Sequence, residues 1–259
     1  MPDGAIGGYL KGRVLAVQEF SELLVDALRV AFSPPRYLTD LLYQTDAIGF
    51  GSLPIVLLTG FSMGSVLALQ TYRTLQNFGE VGLLGQAVSV SFVRELGPVL
   101  TGLMVVARNS SSIASELGSM LVSEQVDAMR ALGTSPMRKL VAPRLYATLI
   151  SLPLLTILCD FLGLLGGSIV SVYTAHLSAE QYWTSAYQAL DSSDVFQGLI
   201  KPVFFAPVIS VVGCYCGLHT SGGTEGVGRS TTQAVVVASV LILVLDFFIT
   251  KFLIGIKFA

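Results

Sequence analysis

The 259-residue sequence predicts an all-α membrane protein. It has an N-terminal amphipathic helix lying in the membrane interface, five transmembrane helices, and a short cytoplasmic helix between the second and third of them. Three observations predict this. Charged residues make up only 12% of the chain against 53% apolar, and a soluble domain carries about 25% charged residues. Too few charges are present to clothe a chain of this size in water, so lipid must cover much of its surface. The apolar residues gather in five stretches, each long enough to cross a hydrocarbon core of about 30 Å. The basic residues fall unevenly between the connections, as the positive-inside rule requires of a spanning protein. The whole chain, 1–259, is expected to form one domain.

The elements follow in order. Over residues 9–32, Val14, Leu15, Val17, Phe20, Leu23, Leu24, Ala27, Leu28 and Ala31 recur at helical spacing, with Lys11, Glu19, Glu22, Asp26 and Arg29 largely between them. That pattern is an amphipathic helix with its apolar face on the membrane, and Ser33-Pro34-Pro35 ends it. The predicted spans are 48–72, 87–107, 145–173, 196–218 and 231–254. The first contains Gly60-x-x-x-Gly64, a spacing that permits close helix approach. The N-terminus lacks a basic run followed by an apolar core, so no cleavable signal peptide is expected.

Charge orients the spans. The 108–144 connection carries Arg108, Arg130, Arg138, Lys139 and Arg144, while 174–195 carries no Lys or Arg. The first connection is therefore cytoplasmic and the second external. Alternation places 73–86 outside, 219–230 inside and the C-terminus outside, with Lys251 and Lys257 running mildly against the rule. Within the inner connection, Ser123 can cap a helix whose first turn holds Glu124 and Asp127. That helix runs through Val126, Met129 and Leu132, and Gly133 suits its left-handed terminus. A helix of 124–132 is too short to stand alone. It docks either on a cytoplasmic partner or on its own subunit.

Polar residues inside the spans are the candidates for function, because charge at bilayer depth is costly. Arg94 and Glu95 interrupt the second span. They either line a pathway for an amphiphile with a charged head or mark the outer membrane boundary, where snorkelling makes them cheap. Adjacent positions on a helix point about 100° apart, so the two do not fully satisfy each other. Asp160 and Asp246 are each a pathway or interhelix contact, or a structural group. Other chemistries are excluded. The formal charge of -2 offers no field for nucleic acid. Cys159, Cys214 and Cys216 sit in apolar runs and read as small buried hydrophobes. No metal cluster or Ser/His/Asp arrangement stands out, and His176 and His219 fall at opposite membrane faces. The stretch 223–230 nearly fits a phosphate-binding loop, but Arg229 stands where Lys is needed and no strand precedes it. It reads as a turn with Ser230 or Thr231 near a helix start. No nucleotide site is expected in this chain.

The segments Phe92-Val-Arg-Glu-Leu-Gly-Pro-Val-Leu-Thr-Gly-Leu-Met104 and Ala107-Arg-Asn-Ser-Ser-Ser-Ile-Ala-Ser-Glu-Leu-Gly-Ser-Met120 resemble the MlaE/YrbE permease family. So do Glu124-Gln-Val-Asp-Ala-Met-Arg-Ala-Leu-Gly133, Pro143-Arg144 and Gly226-Val-Gly-Arg-Ser-Thr-Thr232. Members are inner-membrane, multi-pass subunits of ABC-type transporters that move phospholipid between the two membranes of diderm bacteria and maintain outer-membrane lipid asymmetry. The resemblance implies a homodimer whose cavity holds phospholipid. It implies a cytoplasmic ATPase binding ATP and Mg, a periplasmic MCE-domain lipid-binding protein and a STAS-domain protein. On this chain it implies no cofactor and no enzymatic activity. It implies that Arg94 and Glu95 line the cavity, with Leu69 and Tyr72 against acyl chains. Glu124, Asp127, Met129, Arg130 and Leu132 would form the coupling helix to the ATPase. The family often has Gly-Ala-Ala where this chain has Asn109-Ser110-Ser111, which makes the stretch more polar here. Two rival readings are a proton-coupled secondary transporter using Asp160, Glu95 or Asp246, and a non-transporting membrane scaffold.

Overall fold

The computed structural model describes residues 37–257, together with 18, 21–26 and 29. The described residues are largely helical, and five helices among them are long and apolar enough to cross a membrane. We number the helices α1 (Leu38–Phe78), α2 (Val81–Val122), α3 (Gln125–Ala131), α4 (Met137–Thr174), α5 (Ala179–Ala189), α6 (Ser192–Leu218) and α7 (Gly223–Lys257). The spans α1, α2 and α4 run to 41, 42 and 38 residues, where about 20 suffice to cross. The helices continue past the predicted span boundaries into polar sequence. Of the expected interfacial helix at 9–32, only 18, 21–26 and 29 lie among the described residues, and they are helical. Leu23 there packs into a cluster with Ile113, Leu117, Val126 and Leu145.

Helices α1 and α4 pack closely because glycine faces glycine. A Cβ at Gly60 would lie 2.6 Å from the carbonyl oxygen of Cys159, and one at Gly64 would collide with the carbonyl of Gly163. The Gly60-x-x-x-Gly64 spacing thus lies on the contact stripe of this pair. Helix α6 is the most enclosed span and α7 the least. The central apolar cluster joins Val56 of α1, Phe92 and Val105 of α2, Leu152 and Cys159 of α4, Phe205 and Ile209 of α6, and Ala238 and Ile242 of α7. All three cysteines are free and buried.

Two local expectations change. Ser123 does not cap α3; it closes α2. Its N–H already donates to Ser119 O, and its hydroxyl also donates to that oxygen at 2.8 Å. The extended backbone that a side-chain cap needs is therefore unavailable there. Glu124 takes the N-cap position at φ 58°, and α3 spans Gln125–Ala131, with Gly133 left-handed just beyond it at φ 75°. The 223–230 stretch is not a turn. Gly222 and Gly223 reverse the chain at φ 91° and 66°, and α7 is helical from Gly223 onward. Ser230 lies two turns inside it, where its Oγ accepts a 2.9 Å hydrogen bond from Thr220.

Among the described residues, π-helical turns interrupt α1 at Asp46–Phe50 and α2 at Phe92–Leu96 and Val106–Ser110, and a fourth, Met137–Val141, opens α4. Each adds a residue to a turn and re-aims the side chains on it, a device frequent at functional sites. Arg94 and Glu95 lie on the second of these turns, and Arg108 and Asn109 on the third.

Candidate functional site

Helix α6 presents Asp194, Gly198 and Lys201 on one face, at positions i, i+4 and i+7. Gly198 seats that face on the π-turn of α2, because a Cβ there would collide with the carbonyl of Val93. The contact carries one acid and one base of α6 to the two charges that follow Val93. Arg94 donates to Asp194, and Lys201 donates to Glu95. Asp246 of α7 completes the cluster from the far side, its Oδ1 in ion-pair contact with Lys201 Nζ at 3.0 Å, off the line of a hydrogen bond. Thr250, one turn further along α7, donates weakly to Glu95 at 3.3 Å.

Exposure sorts these groups. Lys201 and Asp194 are sealed, at 1% each, while Arg94 and Glu95 keep 33% and 41% of their side chains open. The buried partners hold the two open groups in place. Five charges meet, two positive and three negative, with Lys201 shared between Glu95 and Asp246. A buried cation with two carboxylates is satisfied, whereas each carboxylate alone with half a cation still has acceptor capacity. Asp191 and Asp194 also form a capping box at the start of α6, which fixes Asp194 before it meets Arg94.

The remaining candidates lie elsewhere. Asp160 is not in the cluster. It packs on Gly97 where α2 leaves its π-turn, and its Oδ1 has no hydrogen-bond partner among the described residues. Leu69 is exposed on α1, and Tyr72 lies half-buried against the outer cluster of Ala68, Leu84, Val88, Val93 and Leu164. On α3, Val126 is buried and Met129 packs beside it, against Leu117, Leu140 and Leu145. Asp127 and Arg130 face outward and pair at 3.0 Å, and Leu132 stands 83% exposed. Behind this helix, Arg144 of α4 binds Glu116 of α2 at 2.7 Å.

The Permease MlaE family model matches residues 41–252. The chain belongs to the MlaE permease family. The matched region of this MlaE-family chain reaches into all five spanning segments and includes Arg94, Glu95, Asp194, Lys201, Asp246 and Thr250. It is 43% identical over 227 residues to a probable ABC transporter permease protein of Rickettsia typhi, covering 88% of each chain. It is 37% identical over 216 residues to the intermembrane phospholipid transport system permease protein MlaE of Haemophilus influenzae, covering 83% of each. It is also 37% identical over 211 residues to the chloroplastic protein TRIGALACTOSYLDIACYLGLYCEROL 1 of Arabidopsis thaliana, covering 82% of this chain and 60% of that one.

Sequence reasoning missed Lys201 and left Asp194 within the external 174–195 connection. A lysine inside a predicted span is itself a signal, since an intramembrane ammonium demands partners. The Asp194, Gly198, Lys201 spacing was also visible as a helical stripe. What the stripe faced was not.

Proposed function

We propose that the chain is the membrane subunit of an ATP-driven phospholipid transporter of the bacterial inner membrane. It works as a homodimer with a cytoplasmic ATPase that binds ATP and Mg, a periplasmic MCE-domain lipid-binding protein and a STAS-domain protein. Family membership supports the class, and the name of the Haemophilus influenzae relative supports the cargo. The observation that carries the assignment within this chain is the charge cluster: Arg94 and Glu95 stay open while their partners are sealed.

A phospholipid leaving the bilayer must bring a charged head past apolar walls, and fixed opposite charges lower that cost without needing water. Arg94 meets the phosphate, and Glu95 meets a headgroup amine or relays the shift onto Lys201. Leu69 and Tyr72 take acyl-chain contact. Glu124, Asp127, Met129, Arg130 and Leu132 form the surface that receives the ATPase stroke, with the exposed Leu132 as its apolar anchor. Val126 transmits the stroke inward because it is embedded between α2 and α4.

The test is co-purification followed by transfer. A tagged chain should bring down the ATPase and the MCE protein, and the reconstituted complex should move labelled phospholipid only with ATP. Movement by the purified chain alone under a pH gradient would make it a secondary transporter. Assembly with no lipid bound or moved would make it a scaffold.

A further inference from the structure

About 20 Å along α2 from Arg94, at a 14-residue separation, a second polar site opens on the half of the molecule that the loop charges assign to the cytoplasm. A cavity of about 300 Å³ lies between the π-turn Asp46–Phe50 of α1 and the π-turn Val106–Ser110 of α2. Arg108, Asn109 and Asp46 line it, with Tyr43, Ser112 and Glu116. Arg108 lies flat on Gly51, whose lack of a side chain makes the room, and its Nη1 donates to Ala47 O at 3.0 Å. Asn109 is 3% exposed, and its Nδ2 has no acceptor among the described residues. A buried amide donor left unpaired is costly, so the site is built to receive an acceptor.

A second observation identifies the ligand class. On the other side of the same Asp46–Phe50 turn runs an almost wholly apolar groove of about 190 Å³, lined by Leu53, Leu154, Leu155 and Leu158. Phe50 lines both the cavity and the groove. A guanidinium and an unpaired amide call for a phosphate. A carboxylate beside them, Asp46, calls for a cation attached to that phosphate; Glu116 is already held by Arg144. An apolar groove that shares Phe50 with the cavity calls for a hydrocarbon tail.

We infer that this is a second phospholipid site, occupied from the cytoplasmic leaflet. A zwitterionic phosphoethanolamine head sits against Arg108, Asn109 and Asp46, with one acyl chain along the α1–α4 groove. The inference takes the cargo class from the function proposed above and adds a loading position distinct from the Arg94–Glu95 cluster. It also assigns a role to Asn109, where the family often has a small residue.

The full chain is placed in phosphatidylglycerol nanodiscs doped with phosphatidylethanolamine carrying a diazirine on one acyl chain, and labelled peptides are mapped by mass spectrometry. Labelling is expected at 154–158 as well as near Arg94. Asn109→Ala should lower labelling at 154–158 about tenfold, and Leu158→Trp should abolish it by filling the groove. Both should leave labelling near Arg94 unchanged. A phosphatidylglycerol diazirine probe should label 154–158 several-fold more weakly, because it lacks the amine. Unchanged labelling at 154–158 in both variants overturns the inference. Suppression by excess inorganic phosphate, with equal labelling by a diacylglycerol probe, assigns the cavity to a free anion and overturns it too. Labelling near Arg94 alone defeats this site and leaves the transport function standing; labelling at neither place defeats both.

Discussion

At the scale of single residues, Lys201 is the keystone of the outer cluster. It is sealed from solvent and holds Glu95 and Asp246 together. Removing one member of a buried ion pair strands the others, at a cost of about 3–5 kcal/mol. Lys201→Met should fall near the lower figure, because Glu95 is 41% exposed and recovers solvation. Lipid transfer should drop more than tenfold. The double variant Lys201→Met with Glu95→Gln should melt closer to the parent than the single one, and thermal unfolding of the detergent-solubilised protein reads both. Tyr182 on α5 offers a contrast outside the spans. Its ring is fully buried, its hydroxyl has no partner among the described residues, and burial pushes the phenol above its ordinary value of 10.0. The neutral form is favoured in the folded state. Its contribution is therefore full below pH 10 and is lost as pH climbs from there toward the raised value. Tyr182→Phe should match or exceed parental stability at neutral pH. It should also lose the part of the alkaline destabilisation that belongs to this phenol, read as a smaller drop in melting temperature above pH about 10.

At the scale of elements, the α1–α4 pair and the short helix α3 behave oppositely. The pair is set by backbone-to-backbone approach at Gly64 and Gly163, so neither backbone can yield. Gly64→Ala should cost about 1–3 kcal/mol despite alanine's better helix propensity, measured by denaturant or thermal unfolding. Helix α3 is anchored inward by Val126 and presents Asp127, Arg130 and Leu132 outward. Asp127→Lys should therefore lower ATP-dependent transfer several-fold while leaving the melting temperature within a degree or two, since an exposed ion pair is worth under about 1 kcal/mol. Unchanged transfer with an intact complex would remove α3 from the coupling path. Glu124 sits at φ 58°, a conformation that suits glycine. Glu124→Gly should hold or raise stability, so any loss of transfer in that variant reports on the carboxylate rather than on the fold.

For the whole molecule, α6 is the most enclosed span and α7 the least. Val240, Val244 and Phe247 lie exposed along α7, free to meet lipid or a second copy. In the assembled complex, Val240→Cys should crosslink to its counterpart with a bifunctional maleimide, and the native cysteines are too buried to contribute background. A purely monomeric product would exclude this face of α7 from the dimer contact. The molecule also has two polar levels on α2, one at Arg94 and one at Arg108, each on its own π-turn. A transporter of amphiphiles needs charge at more than one depth, and on α2 both charged levels coincide with a local widening of the helix.

Composition and the spacing of apolar residues by themselves determined the fold class and the number of spans, because a bilayer rewards length and hydrophobicity directly. They also located Arg94 and Glu95 as exceptions to that rule, and Gly60 and Gly64 as places where helices could touch. Tertiary structure alone decided the partners. Arg94 and Glu95 were not each other's; Asp194 and Lys201, about 100 positions away, were. Sequence distance carries no information about that pairing, since it depends on how α6 crosses α2 at Gly198. The ends of helices were equally a tertiary matter. Ser123 has the side chain of a cap, but both its hydroxyl and its N–H donate back to Ser119 O of the preceding helix.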